Sequence, residues 1–161
     1  MSASIVIPTP FETSGGVVRP EWIDHNGHMN VAYYLLAFDE ALGGVFDYFG
    51  LTREHKKQHN CATFVGDFHI RYVRELLLGD AIRITHQLVA CDAKRLHMCQ
   101  AMYHAESGYL AAQSEVISLH IDMQTRRVAP MAAEIFERVD AVCAAHAQLP
   151  RPQNQGRVIS F

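Results

Sequence analysis

From Val31 to Phe49 the chain is apolar enough that its first charge is Asp39, and Val31, Tyr34, Leu35, Phe38, Leu42, Val45, Phe46 and Phe49 recur at three- and four-residue steps. That spacing predicts a helix, and Gly50 is the kind of residue that stops one. Roughly 20 residues at about 1.5 Å each make a rod of about 30 Å. Its N-terminal half is apolar almost all the way round, unlike a surface helix with one wet face, so other elements must wrap it. Asn30 is suited to cap the start, because its side chain can accept a bond from a first-turn N–H. The N–H groups left over, at the positive end of the helix dipole, suit an anion or an oxygen that is becoming one.

Immediately before this helix, Asp24, His25, Asn26, Gly27, His28, Met29 and Asn30 crowd a carboxylate, two imidazoles, two amides and a glycine into seven residues. The chemistry is expected there. Upstream, residues 1–15 read as a loose N-terminal arm, and a first strand is expected from about residue 16 to 23, with Pro20 marking an edge or a bulge. After Gly50, residues 51–60 read as an exposed turn or short helix. From Cys61 the period switches to two: Phe64, Phe68, Ile70 and Tyr72 are expected on one face, with Asp67, His69 and Arg71 on the other. Segments 81–90, 94–106 and 109–122 follow, separated by short turns, as in an antiparallel meander. A short strand near Val128 and a last helix over 131–147 complete the pattern. Long strands, short turns and one apolar helix fit together if the sheet curls around the helix.

At 161 residues with 49% apolar content, the chain has enough core for one domain. A net charge of −3 with no long basic tract argues against nonspecific nucleic-acid binding. No segment approaches about 20 consecutive apolar residues, so no membrane span is expected. Cys61, Cys91, Cys99 and Cys143 form no Cys-x-x-Cys pair and read as reduced thiols of a cytoplasmic protein.

Asp24 followed by Gly27, His28, Met29 and Asn30, then Tyr33 and Tyr34, resembles the Asp-x-x-Gly-His-Met/Val-Asn signature of hotdog-fold acyl-CoA thioesterases of the 4-hydroxybenzoyl-CoA thioesterase type. His69 to Tyr72, followed by Gly79 and Asp80, resembles a second landmark of that family. With Lys94 to His97 and Leu119 to Asp122, the pattern is most similar to thioesterases of carnitine breakdown that cleave betainyl-CoA. The resemblance covers about residues 16–130. It implies an α+β hotdog fold, with a long central helix wrapped by a curved antiparallel sheet. The domain would span 16–130, with a C-terminal helix and tail over 131–161 packed on it. It further implies an acyl-CoA substrate, a homodimer or homotetramer with its site at the interface, and no metal or redox cofactor.

On this reading Asp24 is the catalytic carboxylate, as base or nucleophile, since thioester hydrolysis needs one or the other together with donors for the oxyanion. The family pattern points to the backbone N–H of Val31 as donor, helped by Asn30, and Gly27 permits close backbone approach. His28 either orients substrate, bonds to Asp24 or is structural. Asp67 either faces the site or pairs with Arg71. Trp22, Tyr33, Tyr34, Phe64 and Phe68 are the acyl-pocket candidates, and Arg74, Lys94 and Arg95 the candidates for the CoA phosphates.

Three rivals stand beside it. A hotdog enoyl-CoA hydratase would resemble Asp-x-Asn-Pro-x-His, but Gly27 replaces the proline and His28 comes one residue early. Asp24, His25 and His28 as metal ligands lack a second motif to complete a tetrahedral site. A non-catalytic acyl-CoA-binding module has no need of Asp24.

Overall fold

A computed structural model of the protein describes residues 6–159; positions 1–5 of the expected arm and 160–161 of the tail lie outside the described residues. The predicted helix is α1, Val31–Phe49. The Asn30 side chain accepts from the Ala32 N–H, and Gly50 ends the helix in the left-handed region at φ +88°, where glycine carries no Cβ penalty. Thr52 caps a short α2, Arg53–Gln58. The strands are β1 (Phe11–Val17), β2 (Cys61–Tyr72), β3 (Ala81–Asp92), β4 (Arg95–His104), β5 (Leu110–Asp122) and β6 (Arg127–Val128), and α3 covers Ala133–His146. The sheet is antiparallel in the order β1-β3-β4-β5-β2, with β6 on β5. This is the hotdog arrangement.

Two expectations are corrected. The first strand begins at Phe11 rather than at 16, and residues 20–22 form a single 3-10 turn instead of its continuation. What makes 11–17 a strand is pairing with β3, interrupted by a bulge between Ser14 and Gly16. Gly15 lies at that bulge because a Cβ there would overlap the Ile82 side chain. The second correction concerns β2, which carries a bulge between Val65 and Asp67. One extra residue reverses the alternation of the strand. Phe64 therefore pairs with Leu119 on the outer face, whereas Phe68 pairs with Val116 on the helix side.

The core has two lobes along α1. Near the helix start, Trp22, Met29, Tyr34 and Phe38 pack on Ile82, Ile84, Met102 and Ala111. Further along, Leu42, Val45 and Phe49 meet Leu88, Met98 and Val116, with Ile135, Val139 and Val142 of α3 closing the end. The wrapping is one-sided: Val31, Leu35 and Leu36 stay exposed, beside exposed Tyr72, Val73, Leu77 and Leu78. Among the described residues no helix is long and apolar enough to cross a membrane.

Between the sheet and α1 lies a buried polar chain. The His86 ring takes Gln100 Nε2 at 3.1 Å on Nδ1 and Thr13 Oγ1 at 2.7 Å on Nε2, while Gln100 also donates to the Phe38 carbonyl and accepts from Ser114. With Gln100 donating to Nδ1, the neutral ring donates from Nε2 to Thr13. Burial pushes the His86 pKa down to about 4. Unfolded, the ring protonates below about 6.5, so the unfolded state binds the extra proton between those values and stability falls as pH drops through that window. Between pH 7 and pH 5 this contributes a loss of about 2 kcal/mol. Urea midpoints at the two pH values test it: His86→Gln should show a pH dependence smaller by that amount, whereas an unchanged dependence would exonerate His86.

Candidate active site

Local backbone chemistry builds the loop before α1. Gly27 donates its N–H to the Asp24 carbonyl, closing a four-residue turn centred on His25 and Asn26, and itself sits at φ +81°, in the left-handed region that favours glycine. Asp24 then receives the His28 carbonyl on its own N–H, and Ile23 bridges to Met29. Met29 and Asn30 tie the loop down through the Leu76 and Trp22 carbonyls. The loop is thus a small pinned hairpin at the mouth of the helix.

Both Asp24 carboxylate oxygens have donors: Oδ1 accepts the Asn26 N–H at 2.8 Å, and Oδ2 accepts Asn30 Nδ2 at 3.3 Å. The Asn26 N–H bond, the largest influence, holds its pKa below the ordinary carboxylate value; burial opposes it, and the nearby His28 ring and the Asn30 amide add to the lowering. Asp24 is therefore ionised at neutral pH and half-exposed, open to substrate. Asn30 has its nitrogen on Asp24 and its oxygen on the Ala32 N–H. It links the carboxylate to the helix start with one of its two amide hydrogens and keeps the other as a donor. The next N–H, that of Val31, has no acceptor among the described residues. His28 bonds through Nδ1 to the Met29 carbonyl at 3.1 Å, within its own loop.

Of the five acyl-pocket candidates, Trp22 and Tyr34 are core residues, and the Tyr34 hydroxyl is taken up by the Leu76 N–H. Tyr33 is half-buried and stacks on Trp22 with ring centroids 5.6 Å apart, and Arg19 covers the other part of the indole at 4.7 Å. Phe68 lies half-buried against Phe38, and Phe64 is on the outer face at the far end of β2. Sequence reasoning did not assign Tyr72 to this pocket, yet its hydroxyl donates to the Val31 carbonyl at 3.1 Å and its ring meets Tyr34 edge-on. The pairing of Tyr72 with Ala112, which sets where β2 ends, has no local signal. Asp67 makes no ion pair with Arg71 among the described residues and lines an outer-face cavity with His69 and Glu115, away from Asp24 of the same chain. The three basic candidates are split. Arg74 stacks over Tyr109 at 3.9 Å, two residues before the Leu76 that anchors the loop, while Lys94 and Arg95 lie at the β3–β4 turn, where Asp92 takes Arg95 at 2.6 Å.

A carboxylate without its proton, beside a helix start with a free N–H, can activate or attack at a carbonyl and receive the negative charge that results. Comparison with known proteins bears on which carbonyl. Residues 18–139 match the sequence model of the thioesterase-like superfamily. A betainyl-CoA thioesterase of Pseudomonas aeruginosa is 36% identical over 153 residues, covering 95% of this chain and 94% of that one. The fused L-carnitine dehydrogenase/betainyl-CoA thioesterase of Rhizobium meliloti is 29% identical over 97% of this chain, which corresponds to 31% of its length. A Staphylococcus aureus protein solved in complex with CoA superposes with a TM-score of 0.87 at 26% identity, over 99% of each chain.

Proposed function

This chain belongs to the thioesterase-like superfamily and is an acyl-CoA thioesterase, and on that premise we propose that it hydrolyses a small-acyl thioester, betainyl-CoA, with Asp24 as the catalytic carboxylate. The observation that carries the reading is the Asn30 link. One amide holds Asp24 and caps the helix whose first N–H, on Val31, is free. Asp24 either takes a proton from water as it adds to the thioester carbonyl or adds to that carbonyl itself; CoA thiolate then leaves, and water supplies the second acid oxygen. In both routes the carbonyl oxygen gains charge toward Val31. A directed donor of this kind is worth about 3–4 kcal/mol, against about 0.3–1 kcal/mol for an exposed charge near a helix end. The directed N–H therefore does more than the dipole.

The betainyl assignment draws on the relatives that cleave betainyl-CoA and on the rings of Tyr33 and Tyr72 around the loop, whose faces suit a trimethylammonium group. The position of Arg74 on Tyr109, close to the Leu76 that anchors the loop, supports it as a partner of the CoA phosphates beside Lys94 and Arg95. The free edge of β2, with the exposed Val31, Leu35, Tyr72 and Val73 beside it, supports a homodimer or homotetramer in which two sheets join through β2. Antiparallel pairing there would set the partner's copy of β2 beside the Tyr72 end, at the mouth of the site. Four unpaired cysteines fit a reducing, cytoplasmic setting.

Release of free thiol from benzoyl-, phenylacetyl-, aliphatic and betainyl-CoA tests the substrate. Betainyl-CoA should lead in kcat/KM by at least about tenfold, equivalent to about 1.4 kcal/mol of cation–π attraction. An aromatic or aliphatic ester turned over as well as betainyl-CoA would remove that assignment and leave the thioesterase.

A further inference from the structure

On the outer face of the sheet, strand register assembles a second group of reactive side chains. His69 of β2 pairs with Glu115 of β5, and Glu115 pairs with Cys99 of β4, so the three form one row across three strands. Directly paired residues share a face of a sheet, as do residues two apart on one strand, so His97 joins them. His97 Nε2 lies 2.7 Å from Glu115 Oε1, and the donor atoms of His97, Cys99 and Glu115 all lie within 4.8 Å of one another. Beside them opens a cavity of about 290 Å³, whose lining includes Asp67, His69 and Arg157. The C-terminal segment closes over one side. Gly156 donates its N–H to Glu115 Oε2 at 2.8 Å, and Asn154 donates to the Ser114 carbonyl at 2.8 Å. Glu115 is thereby fixed with Oε1 turned toward His97 and Cys99.

We propose that His97, Cys99 and Glu115 bind a zinc ion on the outer face of the sheet, with His69 or water as fourth ligand. Imidazole nitrogen, thiolate and carboxylate are the donor types zinc takes, and sulfur with nitrogen disfavours magnesium and calcium. Zinc bonds of about 2.0–2.3 Å set tetrahedral donors roughly 3.3–3.8 Å apart. The present donors reach that spacing by a modest opening of the His97–Glu115 pair and a closing of Cys99. Charge also balances: one thiolate and one carboxylate neutralise the ion, which suits a site where Cys99 is almost fully buried. Binding removes the Cys99 thiol proton, and a His97 ring that holds the ion through Nε2 carries its proton on Nδ1. Glu115 Oε2 stays free to hold Gly156, so the ion would fasten the C-terminal segment to the sheet, apart from Asp24.

Titration of the metal-free full chain with cobalt(II) tests this. One equivalent should bind and give thiolate-to-cobalt charge-transfer absorption in the near ultraviolet. Cys99→Ser should lose that band, and Glu115→Gln and His97→Gln should bind at least about tenfold more weakly. Zinc should raise the Tm of the wild type and leave that of Cys99→Ser unmoved. Absence of the band in the wild type overturns the proposal without reference to any variant. So does its persistence in Cys99→Ser, as binding in the cavity lined by His55, His59, Cys61 and His120 would give, and so does unchanged affinity in both Glu115→Gln and His97→Gln.

Discussion

Asp24→Asn is expected to lower kcat by at least about a hundredfold while folding and acyl-CoA binding persist, the pattern for loss of a group that acts only in the transition state. Asparagine keeps an oxygen for the Asn26 N–H and a shape that fits the turn, so the loop should survive. What disappears is the charge, and with it both the base and the nucleophile. Circular dichroism and equilibrium binding of a CoA ester to the variant separate this outcome from misfolding; near-normal turnover would sink the assignment. The sign of the pH response is fixed by the same hydrogen bonds. Because they lower the Asp24 pKa, its protonation should limit kcat/KM only below the ordinary carboxylate range. Any loss of activity between pH 7 and pH 5 then belongs to other groups, His86 among them.

A second large effect is expected at the middle of α1. Phe38 is fully buried, in the lobe with Trp22, Ile82 and Met102, and its ring lies 6.3 Å from that of Phe68. Phe38→Ala should cost about 3–5 kcal/mol through lost burial and the cavity left behind. Against a total of about 5–15 kcal/mol for a protein of this kind, that is a large share. The Phe38 carbonyl, which accepts from Gln100, is unchanged by the substitution, so the loss isolates the ring. Urea unfolding measures it, and a loss under about 1 kcal/mol would mean that the sheet does not close tightly on the helix at this point.

The helix was legible because its determinants are local. Asn30 and Gly50 are end signals, and the apolar spacing between them is that of a helix face. Asp24, Gly27 and Asn30 were legible for the same reason, all lying within one short loop. Readings failed where structure depends on a distant partner. Residues 11–15 became strand through pairing with β3, some 70 positions away, although Ser14, Gly15 and Gly16 look like loop. Phe64 was placed on the wrong face because the bulge beside Gly66 shifts parity, and a glycine in a strand announces a bulge only weakly. His97, Cys99 and Glu115 gave no signal at all, since it takes the register of β4 on β5 to make neighbours of them.

Strand order also sets a timetable. Of the sheet, only β1 precedes α1; β3, β4 and β5, which cover the helix, all follow it, and β2 waits for β5, the last long strand. At about 5–20 residues per second, the roughly 70 residues from Phe49 to Asp122 take on the order of 4–15 s to synthesise. For that interval Phe38, Leu42, Val45 and Phe49 have been made while most of their lining has not. The arrangement that gives the finished enzyme its buried rod leaves the growing polypeptide with that apolar segment waiting for the strands that will cover it, the kind of transient exposure that favours aggregation.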